Sequence, residues 1–263
     1  MTAQMDGAVD CHAHVFIQGL TLAAERRYQP DYDAPVPAYL AMLDSLGLSH
    51  GLLIQPSFLG TDNSFLLAAL RMAPDRLRGV VVLSPDCPVE EMREMAAAGI
   101  VGVRLNLMGR ADPPLGSGLW RAHLSAVAAL GWHVEVQAKA DRLSALLPRL
   151  LDHGGNVVVD HFGLPDGTDA GFGALLDAAG TGRTWVKLSA AYRSTPSGWQ
   201  ALPTLLRAFG PERLVWGSDW PHTGFEKDVV TADQLTALNQ VVADAKIRRQ
   251  ILFESPRRLF RLS

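Results

Sequence analysis

The chain has 263 residues, 48% of them hydrophobic and 19% charged, enough for a sizeable core and unlike a disordered chain. Its formal net charge is −3 with no block of like charge, which argues against a nucleic-acid or anionic-membrane partner. A small anion is not excluded, because a few arginines can gather locally inside a near-neutral total.

Eight short apolar or β-branched runs read as strands, and stretches with helical apolar spacing separate them. In chain order, strand Val9–His12 precedes helix Val36–Leu46, Gly51–Gln55 precedes Ser64–Met72, and Gly79–Leu83 precedes Val89–Ala98. Gly102–Asn106 is followed by Leu119–Leu130, His133–Gln137 by Asp141–Leu151, Val157–His161 by Gly171–Ala178, and Trp185–Ser189 by Pro203–Phe209. The eighth strand is Leu214–Ser218, and Thr231–Leu259 reads as two closing helices. Strand–helix alternation implies parallel strands with right-handed crossovers. Eight units in a chain close to the roughly 250 residues of one (β/α)₈ barrel predict a single α/β TIM-like barrel over residues 1–263. An open doubly wound sheet would show a glycine-rich phosphate turn after its first strand; here that strand runs into Asp10-Cys11-His12-Ala13-His14.

The amino-terminal segment has no basic stretch ahead of an apolar one, so no signal peptide is expected. No apolar run reaches the roughly 18 residues of a membrane span. Two cysteines, Cys11 and Cys87, flank different strands and read as the reduced thiols of a cytoplasmic protein.

In a parallel barrel the carboxy-terminal ends of the strands open into one bowl. His12 and His14 end the first strand two residues apart, His161 ends the sixth and Asp219 follows the eighth. Arg104 interrupts the apolar run Val101–Leu107, a costly position unless it faces the bowl and meets an anion. Arg110 follows in the loop and Arg193 lies just past strand seven; a guanidinium fork holds a carboxylate bidentately. His222 stands three residues after Asp219 and either touches substrate or fixes its loop. His133 is at the opposite end of strand five and reads as structural, while His50, His123 and His153 read as solvent-facing. Trp120, Trp132, Trp185 and Trp199 read as packing between helices and barrel. Trp216 and Trp220 bracket Asp219, and dry surroundings would raise its pKa.

With His-X-His after strand one, His161 after a later strand and Asp219 after strand eight, the sequence resembles the amidohydrolase superfamily. More narrowly it resembles the lactonase branch acting on pyrone dicarboxylates, sulfomuconolactones and sugar lactones. The shared pieces include Asp10–His14, Gln55–Ser57, Gly102–Asn106, Asp160–Gly163, Lys187–Ser189 and Trp216–His222. The substrate-binding candidates are Arg104, Arg110, Gln137, Arg193 and His222, to which the resemblance adds Tyr28 and Ser57. It also implies a metal held by His-X-His, a strand-five histidine and the strand-eight aspartate, but Gln137 stands at the end of strand five. A bridging lysine has no clear candidate either, since Lys139 is past a strand end and Lys187 lies on strand seven. The expectation is therefore that no cofactor is required, with a weak zinc site through His12, His14 and Asp219 as the alternative.

The chemistry expected is hydrolysis of a carboxylated lactone. Asp219 acts as general base on water, His12, His14 and His161 donate to the carbonyl oxygen, and the arginines hold the flanking anion. Zinc-dependent decarboxylation of an aromatic or unsaturated acid, lactone isomerisation, and a barrel that only binds a small acid are the alternatives.

Overall fold

A computed structural model describes residues 7–167 and 169–262. The first six residues, on which the expectation of no leader partly rests, lie outside them. Eight parallel strands form one sheet in the order β1 to β8: β1 Val9–Ala13, β2 His50–Ile54, β3 Leu77–Val81, β4 Ile100–Asn106, β5 His133–Gln137, β6 Val157–Val159, β7 Thr184–Leu188 and β8 Leu214–Trp216. A helix follows each strand: α1 Val36–Ser45, α2 Ser64–Met72, α3 Val89–Ala97, α4 Gly118–Ala129, α5 Leu143–Leu151, α6 Asp169–Ala178, α7 Leu202–Phe209 and α8 Thr231–Val241. This is the (β/α)₈ barrel. The carboxy-terminal stretch differs from the two helices expected, being α8, α9 Ala245–Arg249, a π-turn Gln250–Glu254 and α10 Ser255–Phe260. Strands β6 and β8 end before His161 and Asp219, which instead sit in tight turns just past the strand ends. No helix among the described residues is long and apolar enough to cross a membrane.

Side-chain alternation along the strands divides the apolar residues into two cores. Cys11, Ile54, Val80, Val158 and Val215 join one cluster, sealed by Leu259 and Phe260 of the carboxy-terminal segment. Their strand neighbours, among them Leu53, Val81, Val159, Val186 and Trp216, pack outward against the helices. His123 is buried on α4 against the Trp120 ring, not solvent-facing as expected; His50 and His153 are half-buried. His133 is buried beside Phe260, at the end of the barrel away from the bowl.

Barrel closure between β1 and β8 uses little ladder. A single parallel bridge joins Ala13 to Trp220, flanked by Asp219 N to His12 O and His14 N to Trp220 O, both 2.8 Å. The buried carboxylate of Asp10 completes the seam, accepting from Ser218 N at 2.7 Å, Ser218 Oγ at 2.6 Å, His12 N at 3.2 Å and Tyr39 OH at 3.1 Å. Gly217 allows the approach, because a Cβ there would stand 2.6 Å from His12 Cβ. Replacing Asp10 with alanine strands these donors, so Asp10→Ala is expected to cost about 2–4 kcal/mol in urea unfolding. A loss below about 1 kcal/mol would show that the seam does not depend on this carboxylate.

Candidate active site

The β1–β8 seam carries three of the four residues singled out as catalytic. Asp219 Oδ1 lies 3.6 Å from His12 Nε2 and 3.7 Å from His14 Nε2. His161 completes the group, its ring centroid 4.8 Å from that of His12 and its Nδ1 2.8 Å from Ser189 Oγ. His161 and Asp219 have φ angles of 54° and 61°, a left-handed conformation that non-glycine residues seldom adopt outside functional turns.

A cavity of about 320 Å³ opens above them. His14, Tyr28, Ser57, Arg104, Gln137, His161, Arg193 and Asp219 line it, and so does Arg27, which the sequence reading did not select. The structure places three other predicted residues elsewhere. His12 is fully buried and does not line the cavity. Arg110 is exposed, lines a smaller neighbouring cavity with Arg27, Ser57 and Asn106, and donates to the Glu25 carbonyl at 3.0 Å. His222 bridges Tyr192 OH at 3.0 Å and Thr231 Oγ1 at 2.9 Å, so it buttresses the loop and does not line the cavity.

Asp219 differs from the expectation of a raised pKa. Burial alone would raise its carboxyl, but the Arg193 guanidinium beside it holds it well below the usual carboxylate range. Arg193 contacts Oδ2 through Nε at 2.8 Å and Nη2 at 2.7 Å, and Tyr192 donates to the same oxygen at 2.6 Å. Oδ1 is thus the oxygen left toward the histidines. His161 stays neutral to acid, its pKa lowered to about 4 chiefly by burial.

Arg104 does meet anions, but they are the protein's own. Its guanidinium lies 3.1 Å from Asp160 Oδ2 and 3.3 Å from Glu135 Oε1, and donates to Gln137 Oε1 at 2.8 Å. Lys187 makes a close ion pair with Glu135 Oε2 and lies 3.6 Å from Asp160 Oδ1. Arg104, Lys187, Glu135 and Asp160 thus form a buried, charge-balanced layer beneath the cavity. Burial pushes both carboxyls up, and Asp160 adds to this at Glu135, yet Lys187, with Arg104 beside Asp160, leaves both below their ordinary range. Arg104→Met is therefore expected to cost about 3 kcal/mol or more of stability, since it leaves buried charge uncompensated. Urea unfolding within about 1 kcal/mol of wild type would contradict this layer.

Arg27 behaves differently. It has no carboxylate within ion-pair range among the described residues, and its one hydrogen bond to a side chain is a 3.4 Å contact to Asn106 Oδ1. Partial burial and the positive potential of Arg104, Arg110 and Arg193 lower its pKa. That crowding of cations is what a bound anion would relieve.

Three donor atoms, His12 Nε2, His14 Nε2 and Asp219 Oδ1, converge closely enough to surround a divalent ion. Their chemistry does not fit one. Gln137 stands where a further imidazole would be needed, and the Lys187 ammonium lies 3.2 Å from His12 Nδ1, directly behind the first ligand. A zinc ion held by these three donors alone, with an ammonium and not an acceptor behind His12, would bind poorly.

The amidohydrolase family model matches residues 9–262. A 4-sulfomuconolactone hydrolase from Rhizobium radiobacter is 32% identical, over 97% of this chain and 90% of that protein. A 2-pyrone-4,6-dicarboxylate hydrolase from Comamonas testosteroni is 30% identical, over the same shares of each. A crystal structure of a probable 2-pyrone-4,6-dicarboxylic acid hydrolase from Acinetobacter baumannii, with citric acid bound, is 38% identical. It superposes with a TM-score of 0.93, covering 97% of this chain and 99% of that one.

Proposed function

Because this chain belongs to the amidohydrolase family, we propose that it opens the ring of an anionic lactone, with Asp219 activating the attacking water. One observation carries the reading: three guanidinium groups and a single carboxylate, Asp219, share one cavity at the carboxy-terminal end of the barrel. Such a site recognises a small molecule bearing negative charge and presents one base to it. The relatives agree in kind, since their names specify a sulfonated lactone and a pyrone dicarboxylate, and the solved relative holds a tricarboxylic acid.

Each step follows from the placement of the groups. His14 Nδ1 donates to the Ile54 carbonyl at 2.8 Å, which lets a lone pair at Nε2 face Asp219 Oδ1. A water between these two acceptors can donate one hydrogen to each, leaving its oxygen lone pair for the ester carbonyl. This changes the part expected of His14 from donor to acceptor. Asp219 removes the proton as the carbon–oxygen bond forms, and the same proton passes to the ring oxygen as the acyl bond breaks. The carbonyl oxygen gathers charge near His161 and His12, whose unpartnered Nε2 lies just below. Arg27 and Arg193 hold the substrate's anionic groups, while Arg104, already engaged below, contributes field more than grip.

Arg193 links binding to chemistry. It holds Asp219 ionised, at the expense of making it a weak base. A substrate anion that shares the guanidinium loosens that hold and makes the carboxylate a better proton acceptor. An ester carbonyl is electrophilic enough for this set to suffice, and we assign the reaction no metal.

The test is hydrolysis of a panel of lactones from neutral to dianionic, followed by proton release, with chelator-treated and zinc-supplemented enzyme in parallel. Turnover that rises with substrate charge and ignores chelator is expected; failure on every anionic lactone would sink the proposal, and a strict need for zinc would sink its metal-free form. Within the same panel Arg27→Met is expected to raise KM for the dianionic substrate about tenfold and leave the neutral one unchanged. Equal loss on both would remove its anion-binding role.

A further inference from the structure

Lys187 does more than balance charge in the buried layer, because it also reaches the site. It is fully buried on β7, at the level where Glu135 of β5, Asp160 after β6 and His12 of β1 meet. Flanked by two carboxylates, its amine is an ammonium, and an ammonium has three hydrogens and no lone pair. It stands 3.2 Å from His12 Nδ1 in hydrogen-bonding geometry. Nδ1 must therefore accept, and a neutral imidazole that accepts at Nδ1 carries its proton on Nε2.

We propose that Lys187 is a positioning residue that fixes His12 as the Nε2–H tautomer, so that this histidine, buried beneath the cavity, turns a hydrogen toward Asp219 Oδ1 and is closed to metal ligation. The ring is neutral on the same geometry, since an imidazolium has no lone pair to take the Lys187 hydrogen. The rival partners of Nδ1 are carboxylate oxygens, Asp160 Oδ1 at 3.4 Å and Glu135 Oε1 at 3.7 Å, which would draw the proton to Nδ1 instead. Neither is aligned with the ring, and both oxygens lack a hydrogen-bond partner among the described residues. On the other side, Nε2 is buried without a partner and faces Asp219 Oδ1 at 3.6 Å. A stranded buried N–H is costly, and an oxygen that becomes negative during the reaction is the acceptor that would satisfy it.

The two histidines of the His-X-His pair are then opposites. His14 gives its Nδ1–H to the Ile54 carbonyl and keeps a lone pair inward, whereas His12 accepts from Lys187 and keeps a hydrogen inward. One faces the cavity with a lone pair, and the other lies behind it with a hydrogen turned toward Asp219. The same polarity explains why the convergence of His12, His14 and Asp219 does not make a metal site, since a ligand nitrogen needs the lone pair that Lys187 forces to the far side.

The part His12 plays toward substrate rests on the proposed lactone opening, whereas its tautomer is read without substrate, so the two fail separately. The test is a long-range proton–nitrogen correlation on uniformly ¹⁵N-labelled, full-length protein at neutral pH, with His12→Asn used to assign the ring. The expected result is a bare, pyridine-like Nδ1 and a protonated, pyrrole-like Nε2; a protonated Nδ1 overturns the proposal on the wild type alone. Lys187→Met combined with Glu135→Gln removes the ammonium together with one carboxylate, leaving Asp160 paired with Arg104. In that variant the proton is expected to move to Nδ1, facing Asp160, and Co²⁺ affinity by equilibrium dialysis is expected to rise at least about tenfold. An unchanged tautomer in the folded variant removes Lys187 from its role. Unchanged Co²⁺ affinity removes the claim that it excludes a metal.

Discussion

The close approach of β1 to β8 is the constraint on which the site depends. Two backbone hydrogen bonds, Asp219 N to His12 O and His14 N to Trp220 O, fix the strand-one histidines against the strand-eight aspartate. Asp10 clamps the same seam from below through Ser218, and Gly217 removes the side chain that would hold the strands apart. The geometry of the candidate site and barrel closure are therefore one structural event. A change that opens the seam displaces Asp219 and both histidines together, which couples the site to stability more tightly than in a site carried on loops alone.

Beneath the seam lies a layer in which burial would be prohibitive for any one charge. Arg104, Lys187, Glu135 and Asp160 are tolerable there because two cations face two carboxylates at ion-pair distance. The layer gives the cavity a rigid, oriented floor, and its field reaches upward through His12 and Gln137. Above it the charge is unbalanced: Arg193 is shared with Asp219, and Arg27 has no carboxylate among the described residues. A balanced floor under an anion-seeking mouth is an arrangement that positions a substrate while keeping its own machinery ionised.

Much of this was legible in the sequence, and the reasons are local. Strand–helix alternation marked every unit of the barrel, and the rule that strand ends share one bowl turned His12, His14, His161 and Asp219 into neighbours. The partners of Arg104 were not read, although His133-Val-Glu-Val-Gln137 shows polar residues alternating with valines, the pattern of an inward polar face. Attention to that period, and to Lys187 at the matching place on β7, would have exposed the buried layer. Arg27 and Tyr192 carried no comparable signal, because the loops that hold them have no period and are positioned by long-range contacts such as the Phe16–Ala34 bridge. The direction of the Asp219 shift was also beyond sequence reasoning: the bracketing tryptophans suggested dryness, whereas Arg193 and Tyr192 arrive from a different strand end.

The central claim is that Asp219 is the base of a ring-opening reaction, and turnover by Asp219→Asn on whichever anionic lactone the wild type hydrolyses fastest tests it most directly. Asparagine preserves the shape of the seam but cannot take the proton from water, so the account expects kcat to fall by about 10³-fold or more in a variant that folds with a lowered unfolding midpoint, since Arg193 loses its carboxylate. A folded variant that keeps within about tenfold of wild-type kcat would contradict it, because no other carboxylate among the described residues lines the cavity to take over.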